Sequence, residues 1–121
     1  MAQMLPGYQF KAYGRKGRYF ISEDARWLED FFRFRARQGW EEFDSACYYS
    51  ANWYILTTLF DYTEDEELKQ LTEMMLHLLL ADMSVDSIKG IYGGGHGKLY
   101  PPHVLNNANE NTFLLQSFIL I

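Results

Sequence analysis

Around Tyr62 and Thr63 the chain has almost no room to turn, and that joint restricts the fold more than any other feature of the sequence. Before it, Trp53, Leu56 and Phe60 recur at three- and four-residue spacing, the period of an amphipathic helix running from about Asp44 or Ser45 to Tyr62. After it, Thr63-x-x-Glu66 is a capping-box pattern that starts another helix almost without a gap. Two helices joined by one or two residues must be antiparallel neighbours. The loop entering the first ("GWEEFDS", 39–45) and the loop leaving the second ("KGIYGGGHGKLY", 89–100) are therefore expected at the same end of the pair.

The rest of the chain is read around this joint. Residues 1–21 suggest a short hairpin or an extended lead-in, with weak alternation at Tyr8, Phe10 and Ala12. Ser22 is a candidate N-cap, with Glu23 and Asp24 in the first turn, and Gly39 is the stop signal of a helix over 23–38. Three helices then occupy 22–87, a Gly/Pro-rich loop 88–107, and an apolar C-terminal helix 108–121. The second half of the third helix, "MMLHLLLADM", is apolar nearly all round, which predicts cover on several sides. The C-terminal run "TFLLQSFILI" has no polar face and no cap. Both features predict one partial all-α domain, a segment of a larger helical array or a chain that associates with itself.

Composition narrows the function. A chain of 121 residues suits one domain, and a net charge of −5 argues against nucleic acid or an anionic membrane as partner. The arginines of "RFRARQ" (33–38) read as a basic helix C-terminus that complements the helix dipole. Nine Tyr need partners for nine hydroxyls, so some are expected on a wet concave surface. Cys47 stands alone, which excludes an intrachain disulfide and a Cys-rich metal site. The first residues carry no secretion signal, and no apolar run reaches membrane-spanning length; neither fixes the compartment.

Three chemistries compete for the glycine-rich loop. Phosphate binding fails on spacing: Lys98 is followed by Leu99 rather than Ser or Thr, position 92 is Tyr, and no G-x-G-x-x-G is complete. Metal binding lacks any H-x-x-x-H or H-E-x-x-H, and His77 reads as a structural histidine; no cofactor is implied. Acid–base chemistry has the best material. Glu41, Glu42 and Asp44 precede the second helix, while Tyr92, His96 and Tyr100 occupy the loop expected beside it. Carboxylates, a histidine and tyrosines around an aromatic cleft suit sugar hydrolysis by paired carboxylates or β-elimination by a Tyr or His base. On the second helix Ser45, Tyr48 and Asn52 share one stripe that continues as Ile55 and Leu59, polar at the rim and apolar deeper down. A capping Ser, with a Tyr and an Asn satisfying nearby backbone, is the plain structural alternative.

These residues carry a resemblance. The Trp-x-Glu-Phe-Asp-Ser entry (Trp40, Glu42, Phe43, Asp44, Ser45), the following Tyr, the acidic "DYTEDEEL" and the Gly-Gly-x-His-Gly loop ending at Tyr100 resemble a central stretch of large bacterial (α/α)-toroid proteins. Those are similar in architecture to polysaccharide lyases of the heparinase II/III and alginate-lyase type. The resemblance spans roughly residues 18–118 and implies antiparallel helical hairpins forming part of an (α/α) toroid, with a glycan cleft at one end. On that basis Glu42, Asp44, Tyr48 and His96 are the catalytic candidates, with Tyr48 or His96 transferring the proton. Trp40, Asn52, Tyr92, Lys98 and Tyr100 are the substrate-binding candidates, with Lys98 where an Arg is expected. The chain is too short for a closed ring, so missing toroid segments or self-association are expected, and an oligosaccharide or polysaccharide is the expected ligand. The rival from another class is a non-catalytic helical interaction module that docks a partner through its apolar C-terminal helix.

Overall fold

The computed structural model describes residues 4–40, 45, 47–88, 91–92, 100–104, 106, 108 and 112. In chain order these form β1 (Gln9–Phe10), β2 (Arg15–Lys16), α1 (Gly17–Gln38), α2 (Tyr49–Tyr62), α3 (Glu66–Val85), β3 (Ser87–Ile88), β4 (Ile91–Tyr92) and the single turn α4 (Pro101–Val104). Helix predominates, as the sequence predicts.

The third helix holds the molecule together. Leu68, Thr72, Met75, Leu79 and Met83 recur every three or four residues and form its buried face. That face packs against both α1 and α2. Phe32 of α1 and Tyr49 and Leu56 of α2 complete the core, with Ala25, Leu28, Trp53 and Leu59 around them. Thr72 is the one hydroxyl inside the α3 stripe; its Oγ1 donates to the Leu68 carbonyl at 2.7 Å, so it is buried without an orphaned donor. Within the single chain the opposite side of α3 is open: Met74 and His77 are exposed, so His77 is a surface residue here.

The helix starts differ from their sequence signals for local reasons. At the joint, Thr63–Asp65 separate α2 from α3, and the cap is Asp65, whose Oδ1 accepts from the Leu68 N–H at 3.0 Å. Thr63 Oγ1 instead accepts from the Asp65 N–H at 3.3 Å, which sets up the cap without being it. Helix α1 begins at Gly17 with Lys16 at the N-cap position that the sequence assigns to Ser22, and Ser22 Oγ donates back to the Tyr19 carbonyl. Two early N–H groups of α1 are satisfied by the lead-in: Gly17 N donates to Tyr8 O and Arg18 N to Pro6 O, both at 2.9 Å.

That lead-in is a small antiparallel hairpin. Gln9 pairs with Lys16 and Phe10 with Arg15, and Gly14 takes the left-handed conformation (φ 63°) that its turn requires. Phe20 packs edge-on against Phe10, Tyr13 and Tyr19, so the hairpin and the first turn of α1 form one aromatic cluster. Beyond α3 a second two-residue ladder pairs Ser87 with Tyr92 and Ile88 with Ile91, where the sequence suggests only a loop. The expected C-terminal helix lies outside the described residues, apart from Ala108 and the buried Thr112.

Candidate functional site

Helices α1 and α2 both pack on α3 and scarcely touch each other, which leaves a cleft between them. It encloses about 370 Å³ and is lined by Phe31, Phe32 and Arg35 from α1, Trp40 and Tyr48 from the connection, and Asn52, Ile55 and Leu56 from α2. That volume lies in the lower part of the range of small-molecule sites, roughly 300–1,000 Å³.

Each wall follows from helix geometry. On α2 the core stripe runs through Tyr49, Trp53 and Leu56. One residue earlier, Tyr48, Asn52 and Ile55 follow the same i, i+4, i+7 spacing on the neighbouring stripe, and this one faces the cleft. Ser45 sets the stripe's register. Fully buried, it accepts from the Tyr48 N–H through Oγ at 3.2 Å and from the Tyr49 N–H through its carbonyl at 3.0 Å. Ser45, one of the two expected caps, thus closes the turn just before the helix, whereas the N-cap position itself is Tyr48, without a side-chain cap bond.

On α1 the aromatic wall continues outside the cleft. Trp27 and Phe31 stack with centroids 5.1 Å apart and planes 9° from parallel. The Arg35 guanidinium carbon sits 5.0 Å from the Phe31 centroid and 5.3 Å from that of Phe34, which fixes a cation over aromatic rings at the cleft edge. Gly39 ends the helix with φ 77° while its N–H donates to the Arg35 carbonyl at 2.8 Å. A side chain there is strained, so glycine is what allows the chain to turn and lay Trp40 into the wall. Trp40 is only 9% exposed, and its indole N–H has no hydrogen-bond partner among the described residues. Leaving such a donor unpaired costs about 1–3 kcal/mol.

The structure thus brings together Trp40, Tyr48 and Asn52 of the predicted set. Tyr100 is 41% exposed and is not part of the cleft wall. Tyr92 lies in β4, and its side chain is outside the described set, as are Glu42, Asp44, His96 and Lys98. The expected meeting of the two loops lies there too. The stripe reading needs one correction: Ile55 is 65% exposed and forms a lip, whereas the floor is made by Phe32 and Leu56. Sequence reasoning missed Phe31 and Arg35. The signal was present, since Phe31, Phe32 and Arg35 occupy adjoining faces of one helix, but the arginines of this segment were read only as helix-dipole complement. Among the described residues no three His, Cys, Asp or Glu side chains gather as metal ligands. None of their helices is long and apolar enough to cross a membrane. Comparison with known proteins returned no match: no protein-family model, curated protein or solved structure is similar to this chain.

Proposed function

We propose that the α1–α2 cleft is one wall of a carbohydrate-binding site, and that the chain is part of an (α/α) toroid that processes glycans. The observation that carries this reading is the convergence of Phe31, Trp40, Tyr48, Asn52 and Arg35 on one open cleft. A sugar presents apolar C–H faces and polar hydroxyl edges. Aromatic rings suit the first, and an amide, a phenol and a guanidinium suit the second. Tyr48 is the proton-transfer candidate that lines the cleft, and Asn52, one turn on, orients or neutralises the group it acts on. The side-by-side packing of α2 and α3 across a three-residue link is compatible with one unit of a helical ring.

The test is a titration of the chain with neutral and uronic-acid oligosaccharides, followed by backbone amide shifts. Shifts clustered on residues 31–35, 40, 48 and 52 are expected. No movement at these positions at millimolar sugar would end the glycan reading.

A second reading has its own observation. Tyr54, Tyr62, Met74 and Val85 are each at least 65% exposed, which suits a helical interaction module. Sedimentation of the chain across a concentration series would favour this reading if the protein associates while the amides of the cleft ignore every sugar.

A further inference from the structure

The overall charge hides a strong local imbalance. The first 22 residues hold Lys11, Arg15, Lys16 and Arg18 and no Asp or Glu; all 16 carboxylates lie beyond them. Structurally these cations belong to one small unit, the β1–β2 hairpin and the first turn of α1. No acidic residue occupies that first turn. None of the four forms an ion pair with a described residue, and Lys11, Lys16 and Arg18 are exposed.

Aromatic rings are interleaved with the charges. Tyr13 is 72% exposed and Tyr8 53%. The rings pack at steep angles, Tyr8 on Phe10 at 84° and Tyr13 on Phe20 at 71°, so neither tyrosine is covered by a parallel ring. Arg15 lies 4.7 Å over the Tyr19 ring, which fixes one cation against the same cluster.

We propose that this hairpin surface binds single-stranded nucleic acid, with Tyr8 and Tyr13 as stacking platforms for bases and Lys11, Lys16 and Arg18 on the phosphates. Cations beside accessible aromatic rings are the two components that sequence-tolerant single-strand binding needs. A flexible strand can follow a patch of this size and stay clear of the acidic remainder of the molecule. A flat anionic bilayer would confront that remainder at the same time, which disfavours a membrane as the partner. Net charge describes the whole chain, whereas its first 22 residues carry a local excess of cations.

The test measures the anisotropy of fluorescein-labelled 12-mers of oligo-dT and oligo-U with the full chain, from low to physiological salt. Binding is expected, with a log–log salt slope of magnitude about 2–3, corresponding to three or four neutralised phosphates. Tyr13→Ala should weaken binding about tenfold, the scale of one lost base stack, while Tyr13→Phe should retain it. The Lys16→Glu/Arg18→Glu pair should lower the slope by about 1.4. Acid at a helix N-terminus favours the helix, so this variant should stay folded by circular dichroism. The proposal is overturned by no binding at low salt. It is equally overturned if inorganic polyphosphate competes fully and Tyr13→Ala has no effect, which means charge alone. Binding to phosphatidylserine vesicles without binding to either oligonucleotide overturns it in favour of a membrane surface.

Discussion

Along α3, the stripe Leu68, Thr72, Met75, Leu79 and Met83 is shut away from water by two helices. Across the α1–α2 cleft, Phe31, Arg35, Tyr48, Asn52 and Ile55 stay at least partly accessible above a buried floor of Phe32 and Leu56. Both regions arise from helical periodicity, and the difference lies in what stands opposite. The α3 stripe meets apolar residues from two directions. The α2 stripe through Tyr48, Asn52 and Ile55 meets an aromatic wall that does not close on it. Burial on one stripe and an open groove on the next follow from what packs opposite each.

Substitutions can break or sharpen that contrast. The largest effect is expected at Leu79, which is fully buried. Leu79→Ala should cost about 2–5 kcal/mol in urea unfolding, and a loss below about 1 kcal/mol would mean α3 is not the scaffold. Next comes Asp65→Ala, which removes the α3 cap and should cost about 1 kcal/mol, whereas Glu66→Ala should cost much less. If Glu66→Ala proves the more damaging, the capping box, which Gln would preserve, operates after all.

On the open side, Ile55→Ser should change stability by no more than about 0.5 kcal/mol, because the side chain is 65% exposed. It should nevertheless alter the sugar-dependent amide shifts of Tyr48 and Asn52. A destabilisation comparable to that of Leu79→Ala would show that the cleft is closed in solution. The smallest effect is expected at the 2.9 Å Arg33–Glu67 bridge, with side chains 53% and 63% exposed. Arg33→Ala should cost about 0.3 kcal/mol and less at high salt, as thermal melts at two ionic strengths would reveal.

Much of this contrast was legible in the sequence. Trp53 and Leu56 mark the core stripe of α2 by spacing alone, and Tyr48 and Asn52 mark the cleft stripe beside it. The start of α1 was not legible, because backbone carbonyls of Tyr8 and Pro6 replace the side-chain cap that a sequence can display. The cap of α3 was misread by two residues because Thr63 and Asp65 are both competent acceptors and only the backbone decides between them. Arg35 was assigned to the helix dipole because nothing local indicates that α2 will stand across from it. Pairing within an element is written in periodicity. Pairing between elements that neither share a short link nor pack together is not.

The three-residue link Thr63–Asp65 also leads to an expected order of folding events. Closing so short a loop carries a small entropic penalty, so α2 and α3 can find each other early in folding. Docking of α1 has to bring in a helix from across the intervening 39–48 segment, and its partner is α3 rather than α2. The cleft is therefore expected to form last, when α1 docks, and to be lost first when α1 lifts away. Native-state hydrogen exchange should find the amides of α1 opening at lower free energy than those at the centre of α3. Equal protection in the two helices would mean that the unit folds in a single step, with the cleft present from the outset.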